Sequence, residues 1–489
     1  MKNVKEFAER RERPIKVVQF GEGNFLRAFA DYMLDIAAER GVFDGGVAVV
    51  KPIPYGSLDA FSAQDCVYTV VLRGTENGKT VNRSRIVTSV CRTECPYDDY
   101  AGYAALAREK DLSLIVSNTT EAGIVFDPSD SFSAEPPATY PGKLTKFLFD
   151  RWTFFGGAPE AGVVIFPVEL IENNGGKLRE CVGKFADLWD LPGDFRKWLD
   201  RDCLFCSTLV DRIVTGYPKR EGEPEAIMEE LGYEDRLLDV CEPFALWVIE
   251  TTDTERAKAA ADFEAAGLPV VYTDNMKPYR DRKVRILNGA HTSFVPAAFL
   301  SGRDIVRECM RDGVVRPFID AAIYREIAPF VALPADEVRR FADSVCERFD
   351  NPFIDHALIS IALNSVSKWR ARVLPSLKDY VLSRGTTPPC LSMSFAALFE
   401  FYARGEKRDG GFFGKRGKGE YEIRDDAAVI DFFAAVGDGG DSLVRFAGNE
   451  TFWGEDLTLI PGFTDAVLFW HGVIRGEGTE AAMKRAAEM

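Results

Sequence analysis

Residues 15–20, Ile-Lys-Val-Val-Gln-Phe, form a short, mostly apolar run suited to a buried strand, and they lead directly into Gly21-Glu22-Gly23-Asn24-Phe25-Leu26-Arg27. From Phe25 the apolar positions Leu26, Phe29, Tyr32, Met33 and Ile36 recur at helical spacing and stop near Gly41. This order of strand, glycine turn and helix constrains the fold more than any other stretch, because it reads as the opening unit of a dinucleotide-binding sheet. Gly21 and Gly23 permit a tight turn and close approach of a pyrophosphate, which then rests on amides at the positive end of the helix. Leu26 stands where the usual Gly-x-Gly-x-x-Gly has its third glycine, so position after a strand carries the reading more than the motif does.

Further strands are expected at 47–50, 112–117, 163–168, 244–249 and 269–272. The second ends in Lys51-Pro52, where an acidic residue ordinarily binds the adenosine ribose; a lysine there could instead meet a 2′-phosphate, which leaves NAD against NADP open on chemistry alone. The third runs into a polar loop containing Asn118 and Thr119, at the carboxyl edge where such sheets bind ligands. Asn174-Gly175 lies between a strand and a helix marked by Leu178, Cys181, Val182 and Phe185, and on its own reads first as a simple turn. Residues 68–73 and 79–90 flank Asn77-Gly78, a strong hairpin signal, and are expected as an antiparallel addition to the sheet. Beyond about residue 280 the pattern turns to helical periods at 318–327, 338–349, 354–366, 391–402 and 428–436. The expectation is an α/β chain with a Rossmann-type domain over 1–279 and a mostly α-helical substrate and catalytic domain over 280–489. Residues 404–424, rich in Gly, Lys and Arg without periodicity, read as a mobile surface loop.

With 76 acidic and 60 basic residues the net charge of −16 argues against a nucleic-acid or anionic-membrane partner. A small anion would need a local basic pocket. Lys368, Arg370 and Arg372 supply one candidate, with a solvated helix face as the alternative. The charged N-terminus and the absence of long apolar runs predict a cytoplasmic protein with no membrane span. Ten scattered cysteines and three histidines offer no paired cluster for zinc, and Cys203-x-x-Cys206 lacks a second pair, so no metal is expected.

Residues 283–291, Lys-Val-Arg-Ile-Leu-Asn-Gly-Ala-His, hold three chemically capable side chains. Lys283 can act as a general acid or base, Asn288 can donate to a developing oxyanion and His291 can orient either. On a helix Asn288 and His291 share a face, whereas Lys283, five before Asn288, needs a turn to join them. Read alone, the same residues could be surface charges, a turn and a core histidine.

Lys283, Asn288 and His291 at this spacing, together with Gly21-x-Gly23-x-Phe25-x-Arg27, resemble the polyol-specific long-chain dehydrogenases, the family of mannitol dehydrogenase and the hexuronate reductases. The resemblance runs over nearly the whole chain, and residues 19–29, 211–218 and 364–369 point within it to the hexuronate reductases. It implies NAD as cofactor, with NADP not excluded, held by Gly21, Gly23, Asn24, Phe25, Arg27, Lys51, Asn118 and Thr119. It implies Lys283 as acid/base, Asn288 and Asn174 as oxyanion donors, His291 in support, and Lys368 with Arg372 binding substrate. The implied reaction reduces the keto group of an open-chain hexuronate, tagaturonate ahead of fructuronate, without a metal. Leu170 departs from the polar residue of mannitol dehydrogenases, making mannitol a doubtful substrate. A nucleotide-binding sensor is the non-enzymatic alternative. The oligomeric state stays open, with a monomer favoured.

Overall fold

Strand β1 (Ile15–Phe20) lies in the middle of a six-stranded sheet with β2 (Gly46–Val50), β3 (Val90–Glu94), β4 (Leu114–Ser117), β5 (Val164–Pro167) and β6 (Leu204–Phe205). The spatial order is β3-β2-β1-β4-β5-β6 and every pairing is parallel. This is the dinucleotide-binding order, which reverses direction between β1 and β4. Every residue of β2, β4 and β5 is buried, as a parallel sheet covered on both faces requires. Val17, Val49 and Val116 pack with Phe29 and Met33 on one face, while Val18, Phe20 and Ile115 pack with Leu144, Phe147 and Leu178 on the other. The computed structural model describes all residues except Glu121 and Lys418. It divides into one unit of Met1–Arg73 and Val81–Met276 and a second of Gly74–Thr80 and Lys277–Met489.

The hairpin around Asn77-Gly78 forms as expected, with Asn77 and Gly78 both at positive φ. It does not extend the main sheet. Tyr68–Glu76 and Lys79–Val87 instead belong to a separate four-stranded sheet, where Tyr68–Glu76 pairs in parallel with Asp239–Cys241. That partner lies far along the chain, so no local pattern could reveal it. Residues 204–205 and 207–211 also form strands, the latter antiparallel to Leu246–Glu250.

The second unit is mostly helical. Its centre is the helix Pro389–Ala403, buried nearly all round, as a helix that is apolar on every face must be. Phe395 meets Trp369, Trp453 and Phe463 at ring separations of 4.9, 5.2 and 5.1 Å. Two expectations are corrected here. Residues 354–366 do not form one helix: Leu358–Ile361 is a short turn, Asn364 adopts a left-handed conformation (φ 52°), and a new helix starts at Ser365. Residues 404–424 are not an unstructured loop, because Glu406–Arg408, Gly411–Arg416 and Gly419–Ile423 form a three-stranded antiparallel sheet. Phe412, Tyr421 and Ile423 are buried in it, and the Tyr421 hydroxyl donates to Phe401 O at 2.7 Å.

Gly21 has φ 126°, and a Cβ there would lie 3.0 Å from Asn118 O; Gly23 has φ −70°, and a Cβ would meet nothing within 4 Å. Gly21→Ala should therefore lower stability by about 1–3 kcal/mol, the usual cost of a strained backbone conformation. Gly23→Ala should leave the melting temperature close to wild type, and equal thermal shifts in the two variants would contradict this reading of the turn.

Candidate active site

In the first unit the turn after β1 sits at the switch point. Gly21 N–H donates to Val50 O at 2.9 Å and Asn118 N–H to Phe20 O at 3.0 Å, so the ends of β2, β1 and β4 are tied together. Gly23 precedes the first turn of a helix running over residues 24–39, which includes one π-helical turn at Arg27–Asp31. The open space over Gly23 and the helix start fit a pyrophosphate. Phe25 stacks on Phe29 with ring centroids 5.0 Å apart, and Asn24 accepts a hydrogen bond from Arg27. Arg27 faces the interior rather than the rim. It is buried, donates to Leu237 O and lies 3.5 Å from Asp239, so its role is to hold the cofactor helix against the neighbouring sheet. Lys51 is likewise buried, and its ammonium donates to Ile53 O at 2.8 Å.

Thr119 donates through both its amide and its hydroxyl to Glu169 Oε1 at 3.0 Å, and Ser117 donates to Glu169 Oε2 at 3.1 Å. Burial pushes the Glu169 carboxyl above the usual range, against the pull of these bonds. Sequence reasoning did not assign Glu169 a role, although an acid directly after an apolar strand was the available signal.

The structure gives Asn174 a different task from oxyanion binding. Its carboxamide is fully buried; Nδ2 donates to Pro167 O and Glu169 O at 3.0 Å each and approaches Thr208 O at 3.1 Å. Oδ1 accepts from Gly175 N at 2.9 Å and Thr208 N at 2.8 Å. A carboxamide has two donor hydrogens and two acceptor lone pairs, so this one is saturated by backbone and stitches β5, the following helix and Ser207–Asp211 together.

In the second unit, Lys277–Arg282, Lys283–Asn288 and Gly289–Leu300 are one uninterrupted helix whose middle segment is π-helical. Gly289 N–H reaches Val284 O, five residues back. In an α-helix, residues five apart point about 140° from each other; the wider π turn brings Lys283 and Asn288 onto one face, and His291 follows one turn later. Neighbours anchor the turn on its other sides. Arg282 pairs with Glu337 and stacks over Phe341 at 4.4 Å, and Arg285 pairs with Asp379. Ile286 and Leu287 are buried, and a Cβ at Gly289 would lie 2.9 Å from Arg372 O, so glycine permits the helix Ser365–Arg372 to press close.

His291 packs on Phe349 with ring centroids 4.0 Å apart and meets His356 edge-on at 5.4 Å. Burial, followed by the positive surroundings of His356, Arg348 and Arg372, drives its pKa well below the ordinary histidine range, so the ring is neutral. Among the described residues its Nε2 is buried without a hydrogen-bond partner, a polar atom that a ligand can satisfy. Burial and Arg372 also hold the Lys368 ammonium below its usual range. Lys368 Nζ donates to Ile361 O at 2.9 Å, leaving two of its three hydrogens for other acceptors. The two residues that follow the sheet over residues 406–423 hold the start of this helix: Asn364 N–H donates to Arg424 O at 3.0 Å and Val366 N–H to Asp425 at 3.3 Å. His356 was not foreseen, since nothing in the spacing links it to His291.

Residues 15–262 match the mannitol dehydrogenase Rossmann domain and residues 275–432 the mannitol dehydrogenase C-terminal domain. The chain belongs to the mannitol dehydrogenase family. Within this family it is 42% identical to an altronate oxidoreductase of Yersinia pestis bv. Antiqua (strain Nepal516), over 97% of both chains. It is also 42% identical to an altronate oxidoreductase of Escherichia coli O7:K1, over 96% of both. A solved D-sorbitol dehydrogenase has the same fold, with a TM-score of 0.79 and 20% identity over 99% of this chain and 100% of that one. Membership of the mannitol dehydrogenase family makes the protein an oxidoreductase. Cys203 and Cys206 are buried thiols whose pKa burial pushes up to about 12, which suits packing rather than redox exchange. Among the described residues no group of three or more His, Cys, Asp or Glu could hold a metal, and no helix is long and apolar enough to cross a membrane.

Replacing Asn174 by alanine should destabilise the first unit by about 3 kcal/mol, because several buried backbone groups lose their partner at once. A chemical-denaturation midpoint unchanged from wild type would show that the clamp carries little.

Proposed function

We propose that this protein is an NAD-dependent hexuronate reductase that reversibly converts D-tagaturonate to D-altronate. Three capable side chains, Lys283, Asn288 and His291, gathered by one π turn beside Arg372 in an otherwise acidic chain, are the observation that carries the reading. The curated relatives at 42% identity are altronate oxidoreductases, which supports the sugar acid.

NAD is the cofactor; when bound it exchanges the hydride with the substrate carbon. Gly21, Gly23, Asn24 and Phe25 form the turn and helix start that would hold its pyrophosphate, with Asn118 and Thr119 on the adjacent loop. In the reductive direction Lys283 as ammonium supplies the proton to the carbonyl oxygen, and in the oxidative direction its neutral amine removes it. Asn288 donates a hydrogen bond to the same oxygen as negative charge develops. Among the described residues its carboxamide holds no hydrogen bond that would compete. Neutral His291 presents Nε2 to the substrate without adding a charge that would have to be desolvated. Lys368 and Arg372 hold the carboxylate, a charge-assisted contact made equally in ground and transition states.

The test is NADH oxidation on tagaturonate, fructuronate and fructose, repeated with NADPH. Turnover should be fastest with tagaturonate and NADH. Preference for fructose would overturn the sugar-acid reading, and preference for fructuronate the stereochemical one. Lys283→Ala should lower kcat by about 10² to 10⁴, the ordinary reach of acid/base catalysis; a near-normal kcat would remove Lys283 from the mechanism. Lys368→Ala should raise KM for the sugar acid with little change in kcat, and an unchanged KM would return that residue to the protein surface.

A further inference from the structure

A second polar network lies beneath the cofactor turn and has no part in the steps above. Gln19 is the one uncharged polar residue in β1 and is fully buried, facing the core layer that contains Val17 and Phe29. A polar side chain there is costly unless it is hydrogen-bonded. Its Nε2 donates to Gly21 O at 3.1 Å and to Asp31 Oδ2 at 3.2 Å. Asp31, also fully buried, ends the π turn of the cofactor helix. The Tyr68 hydroxyl donates to Asp31 Oδ2 at 3.0 Å, and Ser89 Oγ donates to Asp31 O at 2.9 Å.

We propose that Gln19 and Asp31 are positioning residues for the dinucleotide: together they fix the carbonyl of Gly21 and, through it, the direction of the following amides. Gly21 is the residue of the turn with positive φ, so its peptide has conformations open to it that other residues lack, and a hydrogen bond to its carbonyl selects one of them. A carboxamide with both Nε2 hydrogens committed, one to the turn and one to the helix, locks the strand end to the helix start. Arg27, Asp35, Tyr68 and Asp239 surround Asp31, and burial pushes its carboxyl up to about 7, so near neutrality it is protonated for part of the time. An asparagine in its place keeps the acceptor toward Gln19 and Tyr68 and is the natural conservative substitute.

This inference rests on the NAD reading, and direct binding separates the two. Titrating purified protein with NADH, followed by fluorescence and calorimetry, should give a Kd about tenfold higher for Gln19→Met and for Asp31→Ala than for wild type. Asp31→Asn should restore the Kd to within about twofold. In turnover assays Gln19→Met should raise the KM for NADH while leaving kcat and the sugar-acid KM nearly unchanged. An unaltered Kd in Gln19→Met overturns the proposal, as does an Asp31→Asn variant that is as impaired as Asp31→Ala while folded by circular dichroism. Wild-type protein that fails to bind NADH at all overturns the cofactor reading and this inference with it.

Discussion

One change of helical pitch sets the geometry of the proposed catalytic segment. Lys283 and Asn288 are five residues apart, a spacing that an α-helix sends to different faces, and the π turn Lys283–Asn288 brings them together without breaking the helix. Such a turn is less favourable than α-helix, so it persists only where neighbours hold it. Arg282 on Glu337 and Phe341, Arg285 on Asp379, and Gly289 under the carbonyl of Arg372 provide that restraint from three directions. The same contacts that stabilise the turn leave one face for Lys283, Asn288 and His291. Packing and site geometry are therefore a single problem, solved by one helix.

The first unit repeats the device. A π turn at Arg27–Asp31 follows the glycine turn, and its buried residues Arg27 and Asp31 face Asp239, Tyr68 and Gln19. Polar groups in a Rossmann core are expensive, and here they connect the strand end, the glycine turn and the first helix into one body. Asn174 does comparable work at the end of β5, with every hydrogen-bonding position of its carboxamide engaged by backbone. In the first unit the glycine turn and the end of β5 are thus each braced by a buried polar clamp.

Four strands of the parallel sheet were legible because strands covered on both faces read as unbroken apolar runs, and Gly21 and Gly23 announced the turn between the first strand and its helix; Val90–Glu94 and Leu204–Phe205, short and only partly buried, were not foreseen. Lys283, Asn288 and His291 were visible as a cluster, but their shared face was not, since the π turn depends on contacts with residues 337, 341, 372 and 379. Asn174 was misread for the same reason: Thr208, which engages both ends of its amide, is 34 residues away. The sheet over residues 406–423 was hidden because charges and glycines dilute its alternation, so that its buried residues Phe412, Tyr421 and Ile423 stand out little. Sheet membership of the Asn77-Gly78 hairpin was likewise set by a distant strand, Asp239–Cys241.

The central claim is that Lys283 and Asn288 act together on one oxygen atom because a single turn places them side by side. A double-mutant cycle on kcat, with Lys283→Ala, Asn288→Ala and the combined variant, tests it most directly. Residues that act as a unit are strongly non-additive, so the combined variant should be hardly slower than the slower single one. Losses that multiply independently would mean that the two side chains serve separate steps, and the account of the π turn as the organiser of the site would fall.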